Sequence, residues 1–172
     1  MKITTIAALI ATCALTSSAA YANSDVTFIG AVTAQTCEVL PEIDGAVKNT
    51  LQLGSVAPSE QGTAVPFTLK AASSVGCDAL TADMTASIAW TGPFDATGLK
   101  AANGSTAIDS HVLLSTVNAS TTPVVAMKEG ATTANFVANL ASTDGFKYTA
   151  VLDAGATPGN FATAAAYTVA YM

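Results

Sequence analysis

The C-terminal stretch reads Gly159-Asn160-Phe161-Ala162-Thr163-Ala164-Ala165-Ala166-Tyr167-Thr168-Val169-Ala170-Tyr171-Met172. Phe161, Thr163, Ala165, Tyr167, Val169 and Tyr171 fall on alternate positions, with small residues between most of them. A period of two sends alternate side chains to opposite faces of a strand, whereas a helix would repeat its apolar residues every three or four positions. Pro158-Gly159 supplies turn chemistry just before the run. The spacing therefore predicts a final strand starting near Phe161, with its large side chains on one face.

Working back from that end, the same period recurs in short pieces. Phe146, Tyr148, Ala150 and Leu152 alternate and stop at Asp153-Ala154-Gly155. Ala86, Ile88 and Trp90 share a face and end at Gly92-Pro93, and Val65 to Leu69 places Phe67 and Leu69 together. Leu51-Gln52-Leu53, Val112 to Leu114 and Pro123 to Met127 read as further short strands. Near the start, Val26, Phe28, Gly30, Val32 and Ala34 alternate with Thr27, Ile29, Ala31 and Thr33. The Ala-rich stretch from Ala131 to Ala141 leaves room for a helical turn, against which Thr132, Thr133 and Val137 weigh as poor helix formers. Short strands separated by Gly, Pro, Asn and Ser turns, with no sustained helical period, predict an all-β antiparallel sandwich. No repeat or linker divides the chain.

Residues 1–22 have the pattern of an export signal. Met1-Lys2 is followed by a mostly apolar run from Ile3 to Leu15 and by Ala20-Tyr21-Ala22, an A-x-A cleavage pattern. The run is too short to span a bilayer, so the expected product is exported and starts at Asn23. The 172 residues carry 12 acidic side chains against 6 lysines and no arginine, and the lysines stand singly, which argues against nucleic acid as a partner. Hydrophobic residues make up 51% of the chain, but Ala supplies many of them, so a thin core is expected.

Cys13 lies in the signal, which leaves Cys37 and Cys77. Two thiols in an exported protein are expected to pair, and closing a loop of about 40 residues is worth roughly 4 kcal/mol on loop-entropy grounds. With no CxxC and a single histidine, no metal set, redox pair or cofactor is expected. Asp109-Ser110-His111 invites a hydrolytic reading, but neighbours on a strand point to opposite faces, and an edge histidine is the plainer alternative. Asn103-Gly104-Ser105 and Asn118-Ala119-Ser120 match a three-letter glycosylation pattern and are read as turns. The chain is not expected to be an enzyme.

The two ends of the exported chain resemble the pilin subunits of chaperone–usher fimbriae. Ser24-Asp25-Val26-Thr27-Phe28-Ile29-Gly30-Ala31-Val32 is similar to that family's N-terminal extension, followed by a cysteine that opens the domain. Gly159 stands fourteen places from the end and Tyr171 is penultimate, as in the family's C-terminal motif. Leu51-Gln52-Leu53-Gly54 and Phe67-Thr68-Leu69 before Cys77 are also pilin-like, though the Ser- and Gly-containing stretch before Cys77 is longer than the family pattern. The likeness is greatest to the major shaft subunits of enteric adhesive fimbriae.

That resemblance implies a signal peptide (1–22), a donor-strand extension (23–36) and a pilin domain (37–172). The domain would be an incomplete immunoglobulin-like sandwich completed by a donated strand. Val26, Phe28, Gly30 and Val32 would be donated to a neighbouring subunit, with Gly30 where the groove leaves no room for a side chain. Gly159, Phe161, Tyr167, Val169 and Tyr171 would form the acceptor groove and the chaperone contact. Implied partners are further copies in a homopolymer, a periplasmic chaperone, an outer-membrane usher, a tip adhesin and a host receptor. Implied localisation is the cell surface, by way of the periplasm of a Gram-negative cell. From pattern alone, a complete sandwich acting as a monomeric secreted binding module for a carbohydrate or protein stays open.

Overall fold

Alternating apolar residues can bury one face only if a second apolar face lies opposite, and two antiparallel sheets meet that need here. The computed structural model describes residues 37–172. The signal and the extension, including Val26, Phe28, Gly30 and Val32, lie outside the described residues. The strands are β1 (Val39–Ile43), β2 (Ala46–Val47), β3 (Val65–Ala71), β4 (Thr85–Thr91), β5 (Leu99–Lys100), β6 (His111–Thr116), β7 (Ala126–Met127), β8 (Thr133–Val137), β9 (Phe146–Asp153) and β10 (Ala166–Tyr171). One sheet runs in the order β2-β1-β3-β9-β6-β5, with β7 also on β6, and the other runs β10-β4-β8. Every strand pairing is antiparallel.

Most of the expected strands are present, with differences that have local causes. Leu51-Gln52-Leu53 forms no strand, because nothing among the described residues pairs with it, and Gly54 at φ 78° turns the chain away. Only the last two residues of Pro123 to Met127 pair with β6; the Pro123 carbonyl instead accepts from Thr116 Oγ1 at 2.8 Å. The Ala-rich stretch is divided: Thr133–Val137 is β8, and Ala138–Ser142 is a 3-10 helix. Residues 161–165 precede β10 without joining it, so the last strand starts later than its alternation suggests.

The β1–β2 hairpin carries no strong period and was not anticipated. It turns at Asp44-Gly45, with φ of 52° and 75°, the left-handed pair that a two-residue turn requires and that Asp-Gly supplies. Pro41 fits within β1 because its backbone faces away from β3. Glu38 O, on the β3 side, accepts from Ala72 N–H, whereas Pro41 O accepts from Lys48 N–H at 3.0 Å. The N–H that proline lacks would have pointed to the outer side, where no β3 acceptor lies.

Between the sheets, aromatic side chains carry the centre, more than the Ala-rich composition indicated. Phe67 stacks on Tyr148 at 5.5 Å, Trp90 meets Tyr148 edge-on at 5.5 Å, and Phe136 packs on both Phe146 and Tyr148. Leu69, Ile88, Phe136, Phe146 and Tyr148 are fully buried. Ala86, Ala134, Ala138, Ala141 and Ala150 fill the spaces around them. Cys37 and Cys77 form a disulfide that joins the start of β1 to the β3–β4 connection, with Cα atoms 4.6 Å apart.

Candidate functional site

Thr85 and Met172 exchange both backbone hydrogen bonds, each at 2.8 Å, and so form a hydrogen-bonded pair of the antiparallel ladder. Stepping back by two along β10 places Ala170, Thr168 and Ala166 opposite Ser87, Ala89 and Thr91, also facing β4. The odd residues therefore aim their N–H and C=O groups the other way. Among the described residues no strand pairs with that edge.

The bare edge continues beyond the strand. Asn160 and Ala162 are held on the inner side by the β5–β6 connection. Thr106 and Ala107 N–H donate to Asn160 O, Asn160 N–H donates to Thr106 Oγ1 at 2.7 Å, and Ala162 N–H donates to Ser105 Oγ at 3.0 Å. Gly155 N–H donates to Ser110 Oγ, and Ala156 and Thr157 N–H donate to the Asp109 carboxylate. A Cβ on Gly159 would collide with Thr106 Oγ1 and lie 2.8 Å from Ala107 N, so glycine permits this close approach. Residues 161–165 are thus pinned on one side and open on the other.

Along the open side the large side chains are only partly covered. Phe161, Ala165, Tyr167, Val169 and Tyr171 are half-buried and pack against the core, and the residues between them are exposed. Two cavities of about 540 and 450 Å³ lie here and share Thr50, Leu51, Leu53 and Thr163 as walls. Phe161 and Gly159 line the larger; Tyr167, Trp90 and Phe67 line the smaller. Thr163 Oγ1 is buried with no hydrogen-bond partner among the described residues. The opposite wall is the extended segment carrying Leu51 and Leu53, whose alternation serves a cleft rather than a sheet. At the far end Tyr167 Oη donates to Val39 O at 2.9 Å, and Tyr171 Oη donates to Cys37 O at 3.1 Å. The structure thus brings Gly159, Phe161, Tyr167, Val169 and Tyr171 onto one cleft.

The hydrolytic alternative has no geometry. His111 Nε2 lies 2.9 Å from Asp95 Oδ2, while Asp109 and Ser110 are engaged by the 155–157 backbone. Burial raises the Asp95 carboxyl, but the Gly98 and Thr97 N–H groups and then His111 outweigh it and hold the group at about 2. Asp109 is also held below the usual carboxylate range, because hydrogen bonds at the 156–157 backbone outweigh its desolvation. Both acids fasten loops. Ser105, Thr106 and Asp109, which pin the cleft wall, had no local sequence signal, because their partners lie about 50 residues away.

An antiparallel two-sheet sandwich whose last strand keeps a bare edge beside an apolar cleft is the incomplete immunoglobulin-like fold of a pilus subunit. The chain is 47% identical over 154 residues to the F107 fimbrial protein of Escherichia coli, covering 90% of this chain and 89% of that protein. It is 32% identical to the K99 fimbrial protein of Escherichia coli over the full length of both. The P pilus rod subunit PapA shares the fold, with a TM-score of 0.51 at 18% identity, over 86% of this chain and all of that one. No family model matches the chain. The chain belongs to the chaperone–usher fimbrial subunit family and is a structural subunit of a fimbria.

Proposed function

We propose that this subunit polymerises by donor-strand exchange into the fimbrial shaft and so supports cell adhesion. The observation that carries this reading is the outward-facing backbone of the odd residues from Phe161 to Tyr171, beside a cleft floored by half-buried side chains. An added strand would meet both needs, with its backbone completing the ladder and alternate side chains entering the cleft. The donor would be the 23–36 extension of a neighbouring copy, with Val26, Phe28 and Val32 inserted and Gly30 passing the narrowest point. An exposed apolar edge invites aggregation, which gives a periplasmic chaperone its role before exchange and an usher its role during it. Removal of residues 1–22 during export fits that route. The resulting function is mechanical and adhesive rather than catalytic, and the fimbrial relatives weigh against a monomeric binding module.

Gly30→Leu tests the donor assignment. A bulky residue there should leave export and subunit stability intact while blocking fibres, since Leu is a better strand former than Gly. Fibres of normal length from this variant, seen by electron microscopy, would overturn it.

A further inference from the structure

Tyr167 and Tyr171 stand four positions apart on one face of β10, so both phenols leave the strand on the same side. Their acceptors, Val39 O and Cys37 O, lie on the same parity of β1 as Pro41, whose carbonyl faces away from β3. They are edge carbonyls of the opposite sheet, available to a strand inserted between β1 and β10. Burial pushes the Tyr171 phenol up to about 12, and burial together with the charge of Glu38 raises that of Tyr167. Both hydroxyls therefore stay protonated donors at neutral pH. No such bridge crosses the cleft near Thr163, where Oγ1 has no partner among the described residues. The edge has an unbridged half, residues 161–165, and a bridged half, residues 167–171.

Under the strand-exchange reading above, on which this rests, we propose that the Tyr167 and Tyr171 hydroxyls are place-holders for donor-strand N–H groups and make the acceptor edge a two-stage site. The occupant is the alternating 23–36 segment of another copy. It seats on the unbridged half first, then displaces the two hydroxyls from Val39 O and Cys37 O as it extends along β10. The tyrosines set how readily insertion completes, while the backbone ladder sets its final stability.

The test uses the exported chain, residues 23–172, refolded from denaturant at low concentration with an excess of a synthetic peptide of residues 23–36. Trp90 is the sole tryptophan and its ring lies 5.3 Å from that of Tyr167, so its fluorescence reports filling of the cleft. Tyr167→Phe and Tyr171→Phe keep the rings and remove only the donors. Each should speed completion of insertion by about threefold to tenfold, the worth of one net hydrogen bond. Thr116→Val, which removes the Thr116–Pro123 bond elsewhere in the fold, should leave the rate unchanged even where it lowers stability comparably. Peptides trimmed from either end should differ: the one that leaves residues 167–171 uncovered should lose all sensitivity to the Phe substitutions. Wild-type rates in both Phe variants, or equal sensitivity with both trimmed peptides, would overturn the two-stage site while leaving strand exchange standing. Absence of peptide uptake by the wild-type chain would overturn strand exchange itself, and the two-stage site with it.

Discussion

Met172 and Thr85 are bonded to each other through both backbone groups, N–H to O and O to N–H, each at 2.8 Å. The final residue is therefore a rung of the sheet. Its neighbour Tyr171 ties the same strand to the disulfide-bearing Cys37. Deleting Tyr171-Met172 removes two ladder bonds, one side-chain bond and a half-buried aromatic ring, the last worth roughly 2 kcal/mol. The truncated subunit should fail to accumulate in the periplasm, as read by immunoblot with the chaperone co-expressed. Normal accumulation would show that the strand end is dispensable.

Gly159→Val should destabilise the domain by about 1–3 kcal/mol through overpacking. Any Cβ there meets Thr106 and Ala107, which hold residues 160–162 in place. Faster proteolysis of the 155–165 segment is the expected readout, and a cleavage pattern identical to wild type would contradict it.

Leu53→Glu should separate folding from assembly. Leu53 is half-buried on a cleft wall that belongs to no strand, so the empty subunit can turn a carboxylate toward water. A strand filling the cleft would bury that charge without a partner, which is costly. The variant should be exported and protease-resistant yet form no fibres on electron micrographs.

The Cys37–Cys77 bond predicts a non-reduced exported protein lighter than the reduced form by two hydrogens in intact mass. Cys77→Ser should cost roughly 4 kcal/mol on loop-entropy grounds. It should also loosen the Cys37 carbonyl that receives Tyr171, so that hydrogen exchange rises along β10 as well as at β1.

Acid sensitivity should have a component from Asp95. Its pKa in the folded protein, about 2, is below the unfolded value of about 3.9. A depressed carboxyl contributes stability that is fully present above the unfolded pKa and is lost as pH falls through the folded one. The stability gap between wild type and Asp95→Asn should therefore be constant above about pH 5 and shrink between about 4 and 2. A gap independent of pH across that window would remove Asp95 from the account.

The part of the fold that could be read in advance was the part written in local period. Tyr148, Trp90 and Phe161 to Tyr171 announced their faces because each strand buries one side. The β1–β2 hairpin did not, since Val39-Leu40-Pro41-Glu42-Ile43 hides its pattern behind a proline that only the sheet register makes harmless. Leu51-Gln52-Leu53 misled in the opposite sense: alternation reports a face to be covered, and a cleft covers one as well as a sheet does. The pinning of residues 155–162 by Ser105, Thr106 and Asp109 left no trace because it depends on contacts distant in sequence.

The edges of the two sheets differ in how far they are blocked. Asn135 O on the outer side of β8 is taken by Ser120 N–H, β2, β5 and β7 are two residues each, and β1 presents Pro41 beside its hairpin partner. One long edge is left. In the language of polymer chemistry, a unit with one acceptor edge and one donor tail has a functionality of two. Such a unit grows as an unbranched chain and cannot gel, however concentrated it becomes. The small blocked edges thus bear on the shape of the product as much as the open one does, and a second bare edge of similar length would turn a filament-former into a network.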